Sequence, residues 1–252
     1  MVFKRIIPVL LFKNDGLVKT VKFKKPNYIG DPINAVKIFN EKEVDEIIIL
    51  DIDASKNNQG PNFDLLNSLA SECFMPLTYG GGINSIQHLE KIFTIGVEKA
   101  SINMSLIKKS FDIKYAIESF GSSSLVASIN IKRDLFNKYR IYDYSSRKKI
   151  KVSISDFIKS IEDIGFGEIL VSDVDRDGTF LGLDNDLINT IVNSVDVPVV
   201  FNGGASTHME ISNTLNTIPG LSGIAAGSAF VYHGIHKAVL INYTENNERF
   251  RI

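Results

Sequence analysis

Two separate segments of this 252-residue chain repeat at one offset, 122 residues. Glu46-Ile47-Ile48-Ile49-Leu50-Asp51-Ile52-Asp53 returns as Glu168-Ile169-Leu170-Val171-Ser172-Asp173-Val174-Asp175, and Pro76-Leu77-Thr78-Tyr79-Gly80-Gly81-Gly82 returns as Pro198-Val199-Val200-Phe201-Asn202-Gly203-Gly204. A shared offset implies two half-sized copies fused around one core, and self-similarity of this kind constrains the fold before any local propensity does.

Eight short apolar runs recur along the chain. They predict strands near Arg5 to Leu11, Ile47 to Ile52, Pro76 to Tyr79, Lys99 to Ile102, Leu125 to Ile129, Ile169 to Ser172, Pro198 to Phe201 and Gly223 to Ala226. Unbroken apolar runs are what strands buried on both faces of a parallel sheet look like. Helical patterns lie between them at Asp31 to Lys42, Phe63 to Cys73, Ser85 to Ile95, Lys109 to Phe120, Ser153 to Ile164 and Thr207 to Leu215, several opening on Ser, Thr or Asp. Alternating units in this number predict a single domain over residues 1–252, a closed (β/α)8 TIM barrel with half-barrel duplication. An open doubly wound sheet would leave the duplication unexplained. Two connections are longer than the rest, Phe12 to Gly30 and Lys132 to Val152, and the second reads as an inserted hairpin.

Composition narrows the function classes. A formal charge of -1 argues against a nucleic-acid binder. No apolar run approaches the roughly 20 residues of a membrane span. The lone Cys73 excludes an intrachain disulfide, and with no leader-like N-terminus the expected setting is cytoplasmic. His88, His208, His233 and His236 show no metal-ligand spacing, and no metal or other cofactor is expected. The basic cluster Lys19, Lys22, Lys24 and Lys25 fits either a solvated loop or a phosphate-attracting lip.

In such barrels the loops after the strands build the active face. Gly80-Gly81-Gly82 and Gly203-Gly204 stand at matching positions there, joined by Asn103 after strand four and Gly227-Ser228 after strand eight. Glycines let backbone approach a ligand, and amides at a helix start receive anions, so the pattern predicts two opposed phosphate cups. Asp177-Gly178-Thr179 adds amides and a hydroxyl, or is an ordinary Asp-Gly turn. Asp51 and Asp173, inside apolar runs, are either satisfied core acids or polar groups near the site. At the opposite strand ends, Arg5, Glu46, Lys99 and Glu168 form either a stabilising ring of salt bridges or a plug over the barrel axis.

The ordered set Lys4-Arg5-Ile6-Ile7, Gly30-Asp31-Pro32, Leu50-Asp51-Ile52, Gly80-Gly81-Gly82-Ile83, Lys99-Ala100-Ser101-Ile102-Asn103, Gly167-Glu168-Ile169-Leu170 and Asp175-Arg176-Asp177-Gly178-Thr179 resembles HisF, the synthase subunit of imidazole glycerol phosphate synthase, over nearly the whole chain. The resemblance implies a barrel that binds a bisphosphorylated substrate and takes ammonia from a HisH-like glutaminase at its lower face. It assigns Gly82, Asn103, Gly178, Gly204 and Ser228 to the cups, and Arg5, Glu46, Lys99 and Glu168 to an ammonia gate. It also exposes two departures: the acids that end strands one and five in HisF are Leu11 and Asn130 here. Neither side chain is a general acid or base near neutral pH, so cyclisation would fall to Asp51, Asp173 or Asp177, or be lost. Met104 removes a hydroxyl expected at one cup. The pattern is closer to second-copy HisF-like proteins of acetamidino modification, in which barrel and glutaminase supply ammonia to a sugar amidotransferase for surface glycans. The alternatives are a working cyclase of histidine biosynthesis and a phosphorylated-metabolite sensor.

Overall fold

Apolar runs of this kind need cover on both faces, and all eight become parallel strands. In the computed structural model, which describes residues 4–234 and 236–243, they are Arg5–Lys13, Ile47–Asp51, Leu77–Gly80, Lys99–Ile102, Leu125–Arg133, Glu168–Asp173, Val199–Asn202 and Leu221–Ala226, here strands one to eight. Met1 to Phe3, expected to run into strand one, and the Met104 side chain lie outside the described residues. Each strand pairs in parallel with the next, and strand eight closes on strand one from Arg5↔Gly223 to Pro8↔Ala226, completing a (β/α)8 barrel.

Side chains alternate between the two faces of a strand, so each apolar run feeds two cores. Ile6, Leu10, Ile47, Ile49, Ile169 and Val171 join the outer core beneath the helices. Ile7, Val9, Ile48, Val126, Leu170, Val200 and Ala225 fill the barrel interior, with Leu11 and Leu50 packed above them. The same period of two carries Arg5 to Ile7, Val9 and Leu11, and Glu168 to Leu170 and Ser172. The interior is therefore layered: a charged floor, an apolar collar and a polar mouth.

The expected helices form, and their caps repeat with the duplication. Ser85 accepts from His88 N at the start of the helix Ile86–Ile95, and Thr207, 122 residues on, accepts from Glu210 N at the start of His208–Thr217. Such side-chain acceptors satisfy amides that a helix start leaves without partners.

Local details differ from the sequence expectations. The helix expected from Lys109 to Phe120 starts only at Ile113 and runs to Phe120, and a short helix not expected from the sequence, Met104–Lys108, precedes it. Lys109 at φ 52° ends the short helix, and Asp112 caps the longer one by accepting from Tyr115 N. A further helix, Asn185–Val192, begins on Asp184. The connection Phe12 to Gly30 is no loop: Gly16–Val21 and Lys24–Gly30 form an antiparallel hairpin that extends strand one. The second connection forms the expected hairpin, with Tyr139–Asp143 pairing strand five and then Lys148–Lys149. No helix among the described residues is long and apolar enough to cross a membrane.

Candidate functional site

The carboxyl ends of the strands surround a cavity of about 1110 Å³, counting its open mouth. Strand one contributes Val9 and Leu11, strand two Leu50 and Asp51, and the Gly-rich turn Gly80, Gly81 and Gly82. Ser101 and Asn103 enter from strand four, Ser128 and Asn130 from strand five, Ser172 and Asn202 from strands six and seven, and Gly227 with Ser228 from strand eight. Strands one and five lie four apart in a ring of eight, so Leu11 and Asn130 flank the cavity from opposite sides. Leu11 packs with Leu50 on the apolar collar, and Asn130 is buried beside Ser172, its partner in register.

The residues expected in the first cup, Gly81, Gly82 and Asn103, line the cavity. Gly82 N donates to Ser55 Oγ at 3.2 Å, and Asn103 Nδ2 donates to the Ser128 carbonyl at 2.7 Å, which fixes the amide's orientation. The second is brought in only partly. Gly227, Ser228 and Asp177 line the cavity, whereas Gly178, Thr179, Gly203 and Gly204 do not. Thr179 Oγ1 donates to the Arg176 carbonyl at 2.6 Å, closing its own turn.

Gly81 and Gly203 have a packing reason for being glycine, and the duplication repeats it. Both hold positive φ, 129° and 118°; a Cβ would lie 2.5 Å from the Asp51 carbonyl oxygen in one case and 2.7 Å from that of Asp173 in the other. The aspartates themselves cap turns. Asp51 Oδ1 accepts from Asp53 N at 3.1 Å and Ala54 N at 3.0 Å, and Asp173 Oδ1 accepts from Asp175 N at 2.9 Å and Arg176 N at 3.3 Å. Asp173 does not line the cavity, and its Oδ2 is buried without a hydrogen-bond partner. Burial pushes the Asp173 carboxyl up to about 6. A carboxyl whose folded pKa is raised is destabilising once ionised; that cost grows as pH rises from about 4 to 6 and is absent below both values. Asp173→Asn keeps an Oδ1 for the turn and removes the charge. It is expected to unfold at a urea midpoint equal to or above that of the native chain at pH 7, the difference vanishing below pH 4. A large loss of stability at pH 7 would refute the turn-capping account.

The residue least visible in the sequence is Lys19. The first hairpin folds over the mouth and turns this lysine inward, to 4% exposure, while Lys22, Lys24 and Lys25 remain exposed. Lys19 Nζ donates to the Val9 carbonyl at 2.6 Å and touches the place where a side chain at Gly227 would begin, beside Ser228. Burial lowers its pKa to about 8, with Asp177 opposing the shift. Thr20 Oγ1 donates to Asp177 Oδ2 at 2.9 Å and Lys22 N to the Asp177 carbonyl at 2.9 Å, so the loop after strand six holds the hairpin in place. Phe23 and Tyr144 meet edge-on at 5.7 Å, joining the two hairpins across the opening.

At the barrel floor the four charges form one cluster. Arg5 Nη1 lies 2.6 Å from Glu46 Oε2 and Arg5 Nη2 lies 2.6 Å from Glu168 Oε2; Lys99 Nζ lies 2.9 Å and 3.4 Å from the same two oxygens. Thr78 Oγ1 donates to Glu46 Oε1 at 2.7 Å. Both glutamates are buried, Glu46 just before strand two, so the cluster ties the starts of strands one, two, four and six together.

Fold and cavity define a (β/α)8 barrel with its ligand-sized opening at the carboxyl ends of the strands, the face on which barrel enzymes work. A family model described as histidine biosynthesis protein matches residues 5–237. The chain is 47% identical over 248 residues, 98% of each chain, to the provisionally named imidazole glycerol phosphate synthase subunit hisF2 of Pseudomonas aeruginosa. It is 42% identical over 250 residues, 99% of this chain and 98% of the relative, to a likewise provisionally named subunit HisF of Leptospira borgpetersenii. It is 33% identical over 232 residues, 92% of each chain, to imidazole glycerol phosphate synthase subunit HisF of Streptococcus mutans. The chain belongs to the HisF-like family of imidazole glycerol phosphate synthase subunits.

Proposed function

We propose that this chain is the synthase-type subunit of a glutamine amidotransferase pair that has kept ammonia handling and lost cyclisation. It docks a HisH-like glutaminase under the floor, takes ammonia through Arg5, Glu46, Lys99 and Glu168, and releases it at the mouth. The onward use is acetamidino modification of surface-glycan sugars by a separate sugar amidotransferase. The observation that carries this reading is the contrast between the ends of the barrel: the floor cluster is complete, whereas the mouth presents Leu11 and Asn130 where the family's acids belong. The interior between them is an apolar collar, which offers an ammonium ion no partners and so favours passage of neutral ammonia.

Mixing the purified chain with its cognate glutaminase is expected to raise glutamine hydrolysis. Phe74 is 85% exposed just before strand three, at the rim of the floor, and Phe74→Asp is expected to weaken the complex. No stimulation by the native chain would sink the proposal. A cyclase of histidine biosynthesis is the second reading, favoured by the 33% identity to the Streptococcus mutans subunit. Growth of a cyclase-deficient strain on this chain would establish it.

The cups serve a phosphorylated small molecule in this reading, held by Gly82, Asn103, Gly227 and Ser228 with Lys19 as the cation. Lys19 is charged below its pKa of about 8 and neutral above it, so anion affinity falls as pH rises through that value. Calorimetry with sulfate, whose charge is constant over this range, is expected to show affinity about tenfold weaker at pH 9.5 than at pH 7, and Lys19→Met to bind weakly at both. A pH-independent affinity in the native chain would exclude Lys19 as the ligand's cation.

A further inference from the structure

The second hairpin carries features that neither the barrel nor its cavity uses. Leu135 is 98% exposed and Phe136 84%, side by side on the turn that leaves strand five. Single exposed apolar residues are common, but these two are adjacent and held by a stiff turn. Asp134 Oδ1 accepts from Phe136 N at 2.9 Å and Lys138 N at 3.0 Å, its Oδ2 accepts from Arg140 Nε at 2.9 Å, and Arg133 Nη1 donates to Asn137 Oδ1 at 2.8 Å. An apolar pair fixed in this way loses little conformational freedom when covered, which is how a binding anchor is built.

Charge sets the second feature. Between positions 132 and 151 the sequence has eight lysines and arginines against two aspartates, in a chain of formal charge -1. Both aspartates are engaged by their own turns: Asp134 orders the tip, and Asp143 accepts from Ser145 N at 2.8 Å and Ser146 N at 3.1 Å. Lys138, Arg147, Lys148, Lys149 and Lys151 are exposed and make no ion pair among the described residues. The hairpin therefore presents an apolar tip on an electropositive shaft.

Position gives the third. Tyr144 and Ser145, at the other end of the strand Tyr139–Asp143 from the apolar tip, line the cavity, so a body seated along the hairpin reaches the edge of the mouth. Ammonia emerging there without an acid–base pair to consume it would be protonated and lost to solvent unless the next enzyme closed over the opening. We propose that the second hairpin is the docking site for the ammonia-consuming enzyme, a protein that meets Leu135 and Phe136 with an apolar socket and the basic shaft with acidic residues. This inference rests on the function proposed above.

The test uses the full chain, its glutaminase and the sugar amidotransferase of the same organism. The native chain is expected to bind the amidotransferase, and to bind it less tightly as salt screens the charges. Leu135→Ser with Phe136→Ser is expected to weaken that binding about 30-fold, the change of an anchor pair worth about 2 kcal/mol. Lys148→Glu with Lys149→Glu is expected to weaken it chiefly through slower association. Both variants should still stimulate the glutaminase as the native chain does, while yielding less amidotransferase product per glutamine hydrolysed. Variants that bind the amidotransferase normally, a native chain that activates glutaminase yet never binds the amidotransferase, or binding only to an anionic polymer such as heparin would each overturn the docking site and leave the ammonia-handling reading standing. Failure of the native chain to activate glutaminase would remove both.

Discussion

Leu11→Asp combined with Asn130→Asp is expected to let this chain support growth of a cyclase-deficient strain, which the native chain is expected not to do. Each well-placed general acid or base is worth about 100- to 10,000-fold in rate, and both are missing. The frame can accept them. Leu11 is half-buried at the cavity edge, so an aspartate there reaches solvent at the cost of its packing against Leu50, about 1–2 kcal/mol. Asn130→Asp is nearly isosteric at an 8% exposed position, where burial would raise the carboxyl's pKa toward neutrality and suit it to proton transfer. Each single variant is expected to stay near the native level, because the two groups work from opposite sides of the cavity. Growth supported by the native chain would refute the loss of cyclisation. A folded double variant as inactive as the native chain would show that the mouth has diverged beyond those two positions.

Arg5→Ala is expected to destabilise the barrel by about 3–5 kcal/mol, the usual consequence of removing one partner from a buried ion cluster. Arg5 contacts both glutamates through separate guanidinium nitrogens, each at 2.6 Å, closer than Lys99 Nζ at 2.9 Å and 3.4 Å. Without it Lys99 faces two buried carboxylates, of which only Glu46 has the Thr78 hydroxyl as a further partner at 2.7 Å. In a domain of this size the loss corresponds to a thermal midpoint lower by about 10 °C. Arg5→Lys is expected to recover only part of it, since a single ammonium cannot reproduce the fork. If the floor also meters ammonia, Arg5→Ala at a temperature where it stays folded should activate glutaminase while leaking ammonia to solvent. An unchanged midpoint and an unchanged ratio of product to glutamine would together remove the cluster from both roles.

The eight strands were legible because they depend on a local pattern that the duplication doubles, and the floor cluster because its four charges stand at the starts of strands. Period two alone carries Arg5, Glu46, Lys99 and Glu168 to one end of the interior and Ser101, Ser128 and Ser172 toward the other. The aspartates were ambiguous for a physical reason. Whether Asp51 and Asp173 face a ligand or cap a turn is set by the few ångströms between Oδ1 and the amides that follow, a distance the sequence does not encode. Gly178, Thr179, Gly203 and Gly204 read as one cup with Gly227 and Ser228, yet the first four do not line the cavity, and the three glycines are packed against the backbone of Thr20, Asp173 and Gly182.

By itself the sequence determined a duplicated barrel with a charged floor, a glycine-lined mouth and no acid at the ends of strands one and five. Those are one-dimensional properties: an offset, a period and the chemistry of two side chains. Only the tertiary structure decided that the first long connection folds back as a hairpin, that one of its four lysines is buried against the Val9 carbonyl, and that the second hairpin meets it through Phe23 and Tyr144. The first two turn on how a short segment folds back on its own neighbours, and the third on contact between segments far apart in the chain. The Asp177 anchor of the first hairpin lies more than 150 residues from its partner Thr20, and no local pattern announces it.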